Sequence, residues 1–94
     1  MYKIIQLTKY DDKSGKLISF ESFKNVPFDI KRIYCIYNTT PKFSRGFHAH
    51  KSLSQLIFAV NGAVDLILDD GVNRETITLD DPSKCLLLEG VVWR

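Results

Sequence analysis

Several things are scarce in this chain of 94 residues. There are only 2 cysteines, Cys35 and Cys85, fifty positions apart and in no CxxC pattern. A disulfide framework wants more cysteines in a secreted chain, so the expectation is two buried thiols. Charge of one sign is missing too: 13 basic residues stand against 11 acidic ones, a net of +2. That balance, with Lys and Arg scattered among Asp and Glu, lacks the basic stripe or arm of a nucleic-acid binder. No apolar run approaches membrane-spanning length, and Met1 to Tyr10 lacks the apolar core of a signal peptide. A cytoplasmic protein is expected, with no nucleic-acid and no membrane partner. Helical periodicity, internal repeats and low-complexity tracts are also absent.

What is present reads as one all-β domain over 1–94, with an ordinary apolar content of 45%. A chain this short buries only about 60–65% of its unfolded surface, so a partner chain would stabilise it. Lys16–Glu21 alternates and follows the turn Asp12-Lys13-Ser14-Gly15. Ile30–Tyr37 reads as a second strand, with Arg32, Tyr34 and Ile36 on one face and Ile33, Cys35 and Tyr37 on the other. Asn61-Gly62, between Leu53–Val60 and Ala63–Leu68, predicts a two-residue hairpin, because both central residues of such a turn need positive φ. Asp70-Gly71 predicts a turn before Arg74–Leu79, and Asp81-Pro82-Ser83 another before Cys85–Leu88. This strand spacing suggests a sandwich or barrel. The sequence stops at Val91-Val92-Trp93-Arg94 in what reads as mid-strand, so further C-terminal strands are expected.

Both histidines lie in Arg45-Gly46-Phe47-His48-Ala49-His50-Lys51. On a strand, the period of two puts His48 and His50 on one face and small Ala49 on the other. Two adjacent imidazoles suit a metal or proton transfer, or they simply sit on a solvated face. Many metal cupins follow a His-x-His pair with a Glu five residues on and a further His on a later strand. Here those positions hold Gln55 and Arg94. A neutral amide is a poor ligand and a guanidinium is none, whereas a tightly held divalent metal wants three or four protein ligands. Proton transfer without metal is therefore favoured. Arg45, Lys51 and Arg94 are candidates to hold an anion such as a phosphate, which guanidinium groups match in bidentate fashion.

Asn25 to Tyr34, the block Arg45 to Lys51, Gln55, Asn61-Gly62, Asp70-Gly71, Glu75 to Asp80 and Val92-Trp93-Arg94 together closely resemble the dTDP-4-keto-6-deoxyhexose 3,4-ketoisomerases. The Arg-Gly-x-His-Ala-His-Lys block is the specific part. The resemblance implies a cupin-type jelly-roll barrel that needs no metal or cofactor, in a homodimer whose N-terminal strands are exchanged. It implies a dTDP-linked keto sugar as substrate, dTDP-4-keto-6-deoxyglucose, and its 3-keto isomer as product, destined for bacterial surface polysaccharides.

Moving the ketone requires a proton taken from C3, an enediol, and a proton returned at C4. Histidine titrates near neutral pH and suits both steps. His48 and His50 are the expected catalytic pair, with Arg45 and Lys51 on the diphosphate or enediolate. Arg32, Tyr34 and Gln55 are weaker candidates for substrate contact. The family carries either His or Arg after this Trp, and Arg94 leans toward the gluco product. Family members also continue past the Trp-Arg position, with strands that complete the barrel. Two other readings compete: a non-catalytic sugar or sugar-nucleotide-binding cupin, and a metal-dependent cupin enzyme.

Overall fold

A computed structural model describes residues 2–38, 54–69 and 71–89. Among the described residues there are seven strands and no helix. They are β1 (Tyr2–Gln6), β2 (Tyr10–Asp12), β3 (Gly15–Leu17), β4 (Ser54–Ile57), β5 (Val64–Asp69), β6 (Arg74–Leu79) and β7 (Lys84–Glu89). All pairings are antiparallel. β7 is the middle strand of a three-stranded sheet ordered β1-β7-β4, while β2-β3 and β5-β6 form two hairpins.

β7 is central because of its side chains. Cys85, Leu86, Leu87 and Leu88 form an unbroken apolar run, and all four are at most 3% exposed. A strand covered on both faces reads this way, without alternation. Its register sets Leu86 against Ile4 and Ile57, and Leu88 against Tyr2 and Gln55. Leu86 and Leu88 join Ala59, Leu68 and Leu79 in the core cluster, against which Tyr2, Ile57, Leu66 and Ile77 pack. The inward faces of β1, β4, β5, β6 and β7 thus meet in one apolar layer. On the other side of β4, Phe20 stacks on Phe58 with centroids 4.5 Å apart, which fastens the segment after β3 to the end of β4.

The turns form where small polar side chains can satisfy loose backbone groups. Asp12 Oδ1 accepts from the Ser14 N–H, and Gly15 follows at φ +130°, a value that L side chains rarely adopt. Asp69 Oδ1 accepts from the Gly71 N–H between β5 and β6. Asp81 Oδ1 accepts from both the Ser83 N–H and its hydroxyl, and the Asp81 carbonyl accepts from the Lys84 N–H at 2.9 Å. Each is an Asp side chain folding onto the chain two residues ahead.

Four expectations are corrected here. Asn61-Gly62 does not close a hairpin: β4 pairs with β7 and β5 pairs with β6. Gly62 has φ +74°, but Asn61 does not have the positive φ that the two-residue turn requires. The connection instead carries the chain from one sheet to another: β4 pairs with the apolar β7, and β5 pairs with β6, where Val64 meets Leu79 and Leu66 meets Ile77.

Ile30–Tyr37 is not a strand among the described residues. It has no ladder partner there, and Lys31 to Asn38 are all exposed. Strand propensity without a neighbouring backbone makes no ladder. Likewise only Leu17 and the two residues before it pair in the stretch expected to run from Lys16 to Glu21. Finally, Cys85 is buried but Cys35 is exposed, in a segment with no ladder partner among the described residues. Two elements go beyond the sequence reading: β1 and β2.

Candidate functional site

The candidate site is built from the core outward. On β4 the period of two puts Gln55 on the same face as Ile57, which packs against the core cluster. Its cross-strand partner is Leu88, a member of that cluster. Gln55 is therefore an inward-facing polar side chain one step beyond the apolar layer. It is half-buried, and its Oε1 is shielded from solvent with no hydrogen-bond partner among the described residues.

Tyr34 approaches Gln55 from the extended segment after residue 30. That segment is held at its base, where Ser22 Oγ accepts from the Ile30 N–H at 2.9 Å. The loop behind it is tied by the Asn25 side chain, which accepts from the Glu21 N–H and donates to the Ser19 carbonyl. The Tyr34 oxygen then lies 3.4 Å from Gln55 Nε2, which donates to it. Arg32, two residues earlier, lays its guanidinium over the Tyr34 ring, 4.9 Å from the centroid. A cation over an aromatic face is attracted by the ring quadrupole.

Arg32, Tyr34 and Gln55 are each expected from sequence as substrate contacts, and the structure brings these three together. The expected same-face relation of Arg32 and Tyr34 holds even though the segment forms no ladder among the described residues. The remaining expected site residues, Arg45, His48, His50, Lys51 and Arg94, lie outside the described residues. The link between Gln55 and Tyr34 emerges only from the fold, because nothing in a linear pattern marks a contact between positions twenty-one apart.

Two further groups are polarised. Asp81 is held well below the usual carboxylate value of 3.8, at about 2, chiefly by the Ser83 backbone N–H and then by Lys9. Burial, followed by the charge of Asp81, pushes the Cys85 thiol up to about 11. Both lie at the entry to β7 and away from the Tyr34 group in the chain, and both read as structural. No helix of the described residues is long and apolar enough to cross a membrane.

Residues 1–94 match the family described as FdtA, WxcM-like, C-terminal. The chain is 45% identical over 91 residues to the TDP-4-oxo-6-deoxy-alpha-D-glucose-3,4-oxoisomerase of Aneurinibacillus thermoaerophilus, covering 97% of this chain and 66% of that protein. It thus spans slightly less than two thirds of that relative. The TDP-quinovose 3,4-ketoisomerase of Campylobacter jejuni is 45% identical with a TM-score of 0.94, over 99% of this chain and 72% of the other. The sugar 3,4-ketoisomerase of Thermoanaerobacterium thermosaccharolyticum, in complex with TDP, is 36% identical with a TM-score of 0.97, over 99% and 68% of the two chains. A histidine-to-asparagine variant of that enzyme is in complex with TDP-4-keto-6-deoxyglucose. The homologues are thus sugar 3,4-ketoisomerases, and the all-β, cupin-type fold expected from the sequence is theirs. With its whole length matched and these identities, the chain belongs to the FdtA family of WxcM-like C-terminal domains.

Proposed function

We propose that this protein is a TDP-sugar 3,4-ketoisomerase that converts dTDP-4-keto-6-deoxyglucose into its 3-keto isomer. The observation that carries the reading is the 45% identity to such an isomerase across 97% of the chain. The block Arg45 to Lys51 supplies the chemistry that this reaction needs.

The reaction is an internal redox exchange that needs no external electron carrier. A base removes the C3 proton, and the electron pair moves toward the C4 carbonyl, whose oxygen gains charge. That oxygen takes a proton to give the enediol; the C3 hydroxyl then gives up its proton as C4 gains one, and the carbonyl has moved to C3. One of His48 and His50 takes the C3 proton, and the other relays protons or polarises the carbonyl, a task suited to a group titrating near neutral pH. Arg45 and Lys51 hold the diphosphate or the developing enediolate, and Arg94 is a further substrate-binding group. Arg32 and Tyr34 contact the sugar.

Metal independence rests on the two replaced ligand positions, Gln55 and Arg94. The assembly is a homodimer with exchanged N-terminal strands, working in the cytoplasm. Arg94 selects the gluco configuration at C4.

The test is conversion of dTDP-4-keto-6-deoxyglucose, followed chromatographically, by the chain and by His48→Asn and His50→Asn. Turnover that falls by about 10²-fold or more in at least one variant, with TDP affinity kept, supports the reading. Turnover unchanged in both variants contradicts the histidine mechanism. Binding of the nucleotide sugar without any conversion by the wild-type chain favours a non-catalytic binding cupin.

A further inference from the structure

The loop before the extended segment carries an inference about Ser22 that rests on the ketoisomerase reading. Phe23 in this loop has φ +62°, a left-handed backbone that is costly for a bulky residue and that Gly or Asn adopts more readily. The ring gains little in return, since Phe23 is 73% exposed. What is kept is therefore the shape of the loop. The Phe23 N–H donates to the Val26 carbonyl at 2.8 Å, and the Glu21 carbonyl accepts from the N–H groups of Lys24 and Val26. The Asn25 side chain adds two ties, to the Glu21 N–H and the Ser19 carbonyl. Ser22 and Val26 form a parallel bridge, and Val26, 1% exposed, anchors the loop to the interior.

These ties fix Ser22, whose Oγ reaches beyond the loop and accepts from the Ile30 N–H at 2.9 Å. Ile30 is where the extended segment begins. Lys31 to Asn38 are all exposed, with no ladder partner among the described residues. A strand in a ladder is held by its backbone along its length. This segment is instead tied at its base by Ser22 and further out by Gln55. Four residues of extended chain reach from Ile30 to Tyr34, about 13 Å. A swing of about 5° at Ile30 thus moves the Tyr34 end by about 1 Å. A misplacement of about 1 Å in a site can cost about 10²-fold in rate.

We propose that Ser22 is a positioning residue, held by a rigid bracket over residues 19–26, that sets the direction in which the segment bearing Arg32 and Tyr34 leaves the body of the protein. Ser22 itself touches no substrate. Its hydroxyl oxygen acts through the Ile30 amide, and the left-handed Phe23 backbone keeps that oxygen in place.

The test compares Ser22→Ala, Ser22→Thr and Phe23→Gly. Ser22→Ala removes the acceptor, and kcat/KM for dTDP-4-keto-6-deoxyglucose is expected to fall by about tenfold or more. Ser22→Thr keeps the oxygen and restores most of the loss. Phe23→Gly keeps the left-handed backbone without its cost and leaves kcat/KM within about twofold of wild type.

A readout independent of turnover is amide hydrogen exchange. The Ile30 amide is expected to exchange about tenfold faster in Ser22→Ala and near the wild-type rate in Ser22→Thr, while the Leu86 amide in the central strand changes far less. Equal quickening at Ile30 and Leu86 means lost stability rather than lost position, and overturns the proposal. So does wild-type kcat/KM in Ser22→Ala, a Ser22→Thr variant as poor as Ser22→Ala, or a Phe23→Gly variant that loses activity. If the wild-type chain itself fails to turn over, the ketoisomerase reading fails and takes this proposal with it. An active wild type with an unaffected Ser22→Ala variant defeats this proposal alone.

Discussion

Lys9 Nζ donates to Asp81 Oδ2 at 3.0 Å, joining the chain just after β1 to the turn that opens β7. Asp81 also accepts twice from Ser83, so a single carboxylate organises the entry to the central strand. The pair is partly exposed, and an exposed ion pair alone contributes little. The turn geometry is what the carboxylate secures.

The first prediction concerns pH. The Asp81 carboxyl lies at about 2 when folded, below its usual 3.8. A depressed folded value means that its stabilising effect is complete above about 3.8 and is lost as pH falls through about 2. Asp81→Ala is therefore expected to melt several degrees lower than wild type at neutral pH. The gap should narrow as the pH of the melt is taken from 4.5 toward 2.5, within the range where wild type still folds. Thermal melts of both proteins across that range check it. A gap independent of pH would mean that the charge of Asp81 is not what matters.

The second prediction concerns the core. Leu86 is fully buried between Ile4 and Ile57 in the central strand. Leu86→Ala should cost about 2–5 kcal/mol, the usual range for a cavity left in a packed core. Against a net stability of about 5–15 kcal/mol, that is a large share, and the urea midpoint should drop accordingly. Thr76→Ala, on the exposed face of β6, should leave it nearly unchanged.

The third prediction separates the two thiols. Cys35 stands exposed in the single chain, whereas Cys85 is buried with its thiol pushed up to about 11. Thiolate is the reactive form, and at pH 7 such a thiol is ionised to only about one part in 10⁴. A chromogenic disulfide reagent should titrate one thiol rapidly and the second only on unfolding. Cys35→Ser should remove the rapid phase. Two rapid thiols in the folded protein would contradict the burial of Cys85.

How much of this was legible from the sequence depended on how local the determinants are. β6 was read with its observed bounds, because Arg74–Leu79 alternates cleanly and a turn precedes it. β7 was read nearly in full, because an unbroken apolar run fits only a strand covered on both faces. The Asp12 and Asp81 turns were legible from their own side chains. β1 was not, because its strand character is set by pairing with β7, some eighty positions away. Asn61-Gly62 misled because turn propensity does not say which strands have better partners elsewhere. Ile30–Tyr37 carries strand-forming residues but finds no ladder among the described residues. For the site, Arg32, Tyr34 and Gln55 were chosen singly, and only the fold showed that they touch.

The central claim is tested most directly by incubating the chain with dTDP-4-keto-6-deoxyglucose in deuterated water and following the sugar by NMR. The account predicts the 3-keto isomer carrying deuterium at C4, in the gluco configuration, and no such product with His50→Asn. Prolonged incubation that leaves the 4-keto sugar unchanged, or a product whose C4 hydrogen does not come from solvent, would contradict the proposed ketoisomerase mechanism.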